Sequence, residues 1–373
     1  MIYDDILGNV WKSFHNLLSK RIISAENSGF RGYEIRFGLL CSIRWGKRMA
    51  DSRDFRPSAL ITITGFLLLF AAGCASRQQA IELYVDAVQL NELNENDKAV
   101  QKLNQAVKVD TRFSLGYSLL GNIYQQEQDY RQAAASYQTA TNLNPWSFKD
   151  YFSLGQVYQT MKEFTLAVNA YRRAVQLKPD NLAANLNAAK CLYEVNDYNQ
   201  AIAYGKKAEK IDPNIGELHQ LLGNIYDSRR DYEQSIRSYK KALEIDSNNP
   251  AIMLSLAVAY LRTNRTEPAK EILTTVTQLQ PDNSSAWQYL GYCYLRLDDV
   301  NQSIENYRKA IEVNSEDWEA YRGLGVAYMA KALNDKDAVL KARAVELWRQ
   351  SLSIKPDQPR RDKLVKLIEK YSK

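Results

Sequence analysis

The chain has 373 residues, 45% hydrophobic and 25% charged, the composition of a chain that can bury a core and not of a disordered or collagen-like one. Its formal charge of +6 sits mostly at the front: residues 1–48 hold eight Lys/Arg against four Asp/Glu, residues 49–73 two against two, and the remainder 39 against 37, so no basic arm is left to predict nucleic-acid binding. Four scattered cysteines (Cys41, Cys74, Cys191, Cys293) and two histidines (His15, His219) give no disulfide framework, no CxxC pair, no zinc-ligand set and no His-based triad, so neither metal nor cofactor is expected.

The first element in chain order is the apolar run from Ala59 to Ala72, ALITITGFLLLFAA. At about 14 residues it falls short of the roughly 20 of a membrane-spanning helix and fits the apolar region of a secretory signal, with Arg53 and Arg56 upstream and small residues closing it. The sequence FAAGC that follows resembles the bacterial lipobox, with Ala71 where Leu is usual. That resemblance implies lipidation of Cys74, and Ala75 and Ser76 after it, with no Asp, imply the outer-membrane address of two-membrane bacteria. The apolar run begins almost sixty residues in, which suits a start at Met49 and a signal of 25 residues, Met49 to Gly73. Residues 1–48 are then a start-site misassignment and 74–79 a lipidated tether; the alternatives are a long cytoplasmic leader and an ordinary cysteine on a short anchor.

From residue 80 the chain repeats with a period of 34: Leu-Gly followed by Tyr recurs at Leu120, Gly121, Tyr124, at Leu154, Gly155, Tyr158, at Leu222, Gly223, Tyr226, at Leu290, Gly291, Tyr294 and at Leu324, Gly325, Tyr328. Behind the first four of these stand a small residue, an aromatic and Ala, as in Ala133, Tyr137, Ala140, and Pro145, Pro179, Pro213 and Pro281 close units. This resembles the tetratricopeptide repeat. The resemblance implies an all-α, right-handed superhelical solenoid of eight helix-turn-helix units starting at 80, 114, 148, 182, 216, 250, 284 and 318 and running to 358. Gly or Ala at position eight lets the second helix approach the first, and aromatics fill the remaining volume. Cys191 and Cys293, three units apart at position ten, read as small buried hydrophobes. Unit eight has seven extra residues within MAKALNDKDAVLKARA, expected to lengthen its helices, and residues 359–373 form a capping helix with Leu364, Val365, Leu367 and Ile368 on its apolar face.

No motif for catalysis or phosphate binding occurs, so no enzyme activity and no small-molecule substrate is expected, and function is assigned to a surface. In the family resembled, peptides or partner helices lie in a groove lined by positions 2, 5, 9 and 12 of each first helix. Carried onto this chain, the groove residues are Tyr84, Asn122, Gln125, Phe152, Gln156, Gln159, Lys190, Tyr193, Gln220, Asn224, Gln288 and Tyr292. Amides can bond both sides of a peptide backbone and aromatics add area at low entropic cost. The resemblance to tetratricopeptide lipoproteins of type IV pilus biogenesis and other envelope assemblies implies a membrane-anchored scaffold with envelope-protein partners; the alternative is a non-catalytic subunit presenting substrate or glycan to an envelope enzyme.

Overall fold

A computed structural model describes the backbone of residues 57–372 and the side chains of 75–372. Residues 1–56, on which the reading of Met49 falls, and the side chains of the apolar run and of Cys74 lie outside the described residues. Among the described residues all regular structure is helical, in the order α1 (Pro57–Glu92), α2 (Asn96–Val109), α3 (Ser114–Gln126), α4 (Tyr130–Leu143), α5 (Phe148–Thr160), α6 (Phe164–Leu177), α7 (Leu182–Glu194), α8 (Tyr198–Ile211), α9 (Gly216–Ser228), α10 (Tyr232–Ile245), α11 (Pro250–Arg262), α12 (Thr266–Leu279), α13 (Ser284–Arg296), α14 (Val300–Val313), α15 (Trp318–Asp335), α16 (Ala338–Ile354) and α17 (Arg361–Tyr371). The first helix of every unit from the second onward begins on its expected residue, 114 through 318. No helix among the described residues is long and apolar enough to cross a membrane.

Consecutive helices pack as antiparallel neighbours, and the small residue at position eight sets how closely. A Cβ built on Gly121 would lie 2.8 Å from the Tyr137 ring, on Gly155 2.7 Å from Tyr171, and on Gly291 3.0 Å from Tyr307. Glycine is therefore required for the ring to lie flat on the first helix. Where position eight is Ala, the facing residue is not aromatic. Ala87 and Leu103 share one core cluster, Ala257 and Leu273 another, and opposite Ala189 stands Gly205, whose open face is filled by Leu222 of the next unit. In unit eight Gly325 lies under the larger indole of Trp348. Each pair keeps the interior filled, as close packing demands.

The turn inside each unit is equally regular. Asn94, Gln128, Lys162, Asn196, Arg230, Asn264 and Asp298, all at position fifteen, have φ between 59° and 66°. In unit two the amide of Gln128 bonds the carbonyl of Gln125 (3.2 Å) and that of Asp129 the carbonyl of Tyr124 (2.9 Å). This is the double bond of a Schellman end, which satisfies carbonyls that the helix leaves open. The next residue starts the second helix, and Asp129, Asp197 and Asp299 there accept the amides of Gln132, Gln200 and Gln302.

The seven extra residues of unit eight lengthen both of its helices, α15 to 18 residues and α16 to 17, joined by Lys336 and by Asp337, which caps α16. The last helix, α17, packs against α16, burying Leu364 and half-burying Ile368 and Tyr371 on the final core cluster. Leu367, expected on the apolar face, is 38% exposed; the stripe passes through Tyr371 instead. Gln358, buried just before α17, bonds Ser351, which in turn donates to the Trp318 carbonyl, tying the cap to unit eight.

First helices of neighbouring units touch directly, α3 with α5, α7 with α9 and α13 with α15, while second helices of neighbouring units do not approach one another to that degree. The first helices thus line the inner face and the second helices the outer one.

Candidate partner-binding face

The twelve residues assigned to the groove all lie on first helices, yet their side chains are not equivalent. Three of the amides are engaged within their own unit: Gln125 accepts from the hydroxyl of Tyr137 (3.1 Å), Gln159 from Tyr171 (2.8 Å) and Asn224 from Tyr239 (2.7 Å). These are bonds of the core tyrosines. Burial pushes the Tyr137 hydroxyl up to about 12 and those of Tyr171 and Tyr239 higher still, so each donates a proton at any ordinary pH.

Asn122, Gln156, Gln220 and Gln288 differ. Each is half-buried, and none makes a side-chain hydrogen bond with another described residue. They occupy position nine in units two and three and position five in units five and seven, both on the inner face. Their amides can meet a peptide backbone with donor and acceptor together.

The aromatic members are partly structural. Phe152 stacks on Phe148 at 5.6 Å, meets Tyr171 edge-on at 5.7 Å and borders two core clusters, so it does not face away from the helix-pair core. Tyr84 meets Phe113 edge-on at 5.5 Å, and Tyr193 lies against Tyr198 at 6.1 Å. Tyr292 accepts from Arg296 (3.1 Å), and Lys190 is paired with Glu217 of the next unit at 2.7 Å. Further ladders not read from the sequence cross the same face. Ser118 bonds the buried carboxylate of Asp150, and Arg262 pairs with Asp227.

Position four carries another bond hidden in the sequence. Asn185, His219 and Trp287 each donate to the carbonyl of the proline closing the preceding unit, Pro179, Pro213 and Pro281, at 2.8, 2.7 and 2.8 Å. The histidine's bond therefore joins two units. Cys191 and Cys293 are fully buried and free, and burial pushes both thiols up to about 12. No group of His, Cys, Asp and Glu among the described residues is arranged to hold a metal ion.

Family models agree with this geometry. Three tetratricopeptide-repeat models match residues 121–162, 158–225 and 294–351, and the tetratricopeptide domain of cytochrome c-type biogenesis protein H matches residues 212–321. No curated protein matches the chain. Among solved structures, the C-terminal part of a tetratricopeptide protein from Cytophaga hutchinsonii aligns with a TM-score of 0.53 at 17% identity, over 66% of this chain and 97% of its own. PilF of Pseudomonas aeruginosa aligns at 0.45 and 21% identity, over 56% and 94% of the two chains. YrrB, described as having an unusual peptide-binding site, aligns at 0.46 and 19%, over 55% and 98%. Helix pairs of 13 and 14 residues at a spacing of 34, with family models matching across the solenoid, make this chain a tetratricopeptide-repeat protein.

Proposed function

We propose that the protein is a lipid-anchored scaffold, held by Cys74 at the outer membrane and facing the periplasm, which gathers segments of envelope proteins on its inner face during assembly of a pilus, secretion pore or outer-membrane machine. The observation that carries the binding reading is the set of four half-buried amides, Asn122, Gln156, Gln220 and Gln288, left without an intramolecular partner. The polar atoms of these four amides still reach solvent, so each bond to a ligand backbone, made in exchange for water, contributes about 0.5–1.5 kcal/mol. The lipobox-like FAAGC ahead of the solenoid supports the anchor, and a scaffold suits a described chain made of repeats and a cap.

Two measurements test it. Native protein is crosslinked, purified and its partners identified by mass spectrometry; replacing the four amides together by Ala should weaken capture about tenfold or more while urea stability stays near wild type. Wild-type capture by that variant would remove the inner face as the site. Separately, Cys74→Ser should release the protein from membranes or leave unprocessed precursor, and unchanged partition and mature size would refute lipidation. On a density gradient the wild type should follow outer membranes.

A further inference from the structure

The near-neutral charge of the repeats conceals a division between the two faces. Over units one to five the second helices (α2, α4, α6, α8, α10) carry twelve Lys/Arg against four Asp/Glu. The first helices of the same units, from Ala80, carry two against seven. The division ends there. In units six and seven the second helices hold three Lys/Arg against four Asp/Glu.

Nine of the twelve outer cations have no carboxylate within ion-pair distance among the described residues; only Lys98, Lys102 and Lys241 do. Seven of the nine are exposed: Lys108, Arg131, Lys206, Lys207, Lys210, Arg237 and Lys240. The pattern is also periodic. Arg172 and Arg173, Lys206 and Lys207, Lys240 and Lys241 occupy the same two positions in three consecutive units, and Thr274 and Thr275 stand there in unit six.

We propose that this outer ridge lies on an anionic phospholipid surface, which holds units one to five against the bilayer and leaves the inner face open to partners. Four features favour a lipid surface over an acidic protein. From unit three to unit five the cations recur at the same two positions of each second helix and so form a row. Eight of the twelve are lysines, mobile point charges suited to a plane of phosphates and lacking the planar fork that fits one carboxylate. Among the exposed apolar side chains of the described residues α2, α8 and α10 carry no aromatic, and the one large exposed aromatic beside the ridge, Trp146, is covered on one face by the Arg173 guanidinium at 5.6 Å. The choice of a membrane as occupant rests on the anchored reading, since five residues separate Cys74 from unit one and keep the start of the first repeat within about 20 Å of the bilayer.

The test footprints lysine amines by acetylation and mass spectrometry on the full chain, with vesicles of phosphatidylcholine alone and with about a third phosphatidylglycerol. On anionic vesicles the labelling of Lys206, Lys207, Lys210 and Lys240 should fall about fivefold and recover near 1 M salt, where the Debye length is about 3 Å. Lys149 on the inner face and Lys309 on unit seven should label equally on both vesicles. The variant Lys206→Glu, Lys207→Glu, Lys240→Glu should lose protection at Lys210. Unchanged labelling on anionic vesicles, or equal protection on neutral ones, overturns the proposal. Protection in whole envelopes but not on purified vesicles assigns the ridge to an acidic protein and overturns it too. Flotation with neutral vesicles reports on the anchor alone, so loss of the anchor and loss of the ridge are told apart.

Discussion

Gly155→Ala adds one methyl group at the tightest kind of contact in this fold. The new Cβ would sit 2.7 Å from two ring carbons of Tyr171 and 2.9 Å from a third, where about 3.5–4.0 Å is comfortable. Tyr171 has nowhere to go: it is fully buried, Phe152 lies against it at 5.7 Å, and its hydroxyl is held by Gln159 at 2.8 Å. Overpacking of this kind costs about 1–3 kcal/mol, and alanine returns nearly 1 kcal/mol of helix propensity, leaving a net loss of up to about 2 kcal/mol. Gly216→Ala is the control, because its Cβ would meet nothing closer than 3.7 Å. It should be neutral or slightly stabilising, since Gly216 opens α9 and only part of the interior helix propensity applies there. Urea unfolding followed by circular dichroism gives the two signs, and hydrogen exchange should place the Gly155 loss in unit three and its neighbours, since solenoid stability is built from adjacent interfaces. Combining Gly155→Ala with Tyr171→Leu copies the Ala–Leu pairs of units one and six and should recover part of the loss. The size-matching argument fails if Gly155→Ala is as stable as wild type, or if both glycine variants shift the midpoint in the same direction.

Arg230 holds a left-handed backbone at φ 64° with its amide bonded to the Asp227 carbonyl; Arg230→Gly should stabilise by about 0.5 kcal/mol and Arg230→Val destabilise by about 1 kcal/mol or more, read from the same urea curves. Burial raises the thiols of Cys191 and Cys293 from 9.0 to about 12 and the Tyr137 hydroxyl from 10.0 to about 12, so the folded chain keeps protons that the unfolded chain gives up. Their contribution is complete below pH 9 and is lost as pH climbs to 12, so urea midpoints should fall across that window; a flat profile would refute it. In the native state at pH 8 a thiol reagent should leave both cysteines unmodified, and it should label both in denaturant.

What the sequence made legible is whatever lies at a fixed position on one helix. The 34-residue spacing places every first helix from Ser114 to Trp318, and the exchange of Gly–Tyr for Ala–Leu between positions eight and twenty-four is visible in the letters once a ring is imagined over a missing Cβ. Position fifteen was harder to read because the left-handed turn is built from Asn, Gln, Lys, Arg and Asp with no glycine to mark it. Bonds across helices were hidden for a different reason. Gln125, Gln159 and Asn224 look like ligand amides by position, but whether a tyrosine hydroxyl reaches them depends on the distance between two helices, which periodicity does not carry. The same holds for Phe152, whose groove position also borders the core, and for Asn185, His219 and Trp287, which need the preceding proline's carbonyl in reach. Charge was obscured by summation. Counting along the chain adds the acidic inner helices to the basic outer ones and returns almost nothing, whereas sorting the same residues by face separates them. In a solenoid the two faces follow different physics: the core and the turns fix which residue must be small, aromatic or left-handed, and only positions exempt from those demands are free to carry a function. The four unbonded amides on the first helices and the exposed lysines of the second helices are among the positions exempt from them, which is why the proposed functions rest there.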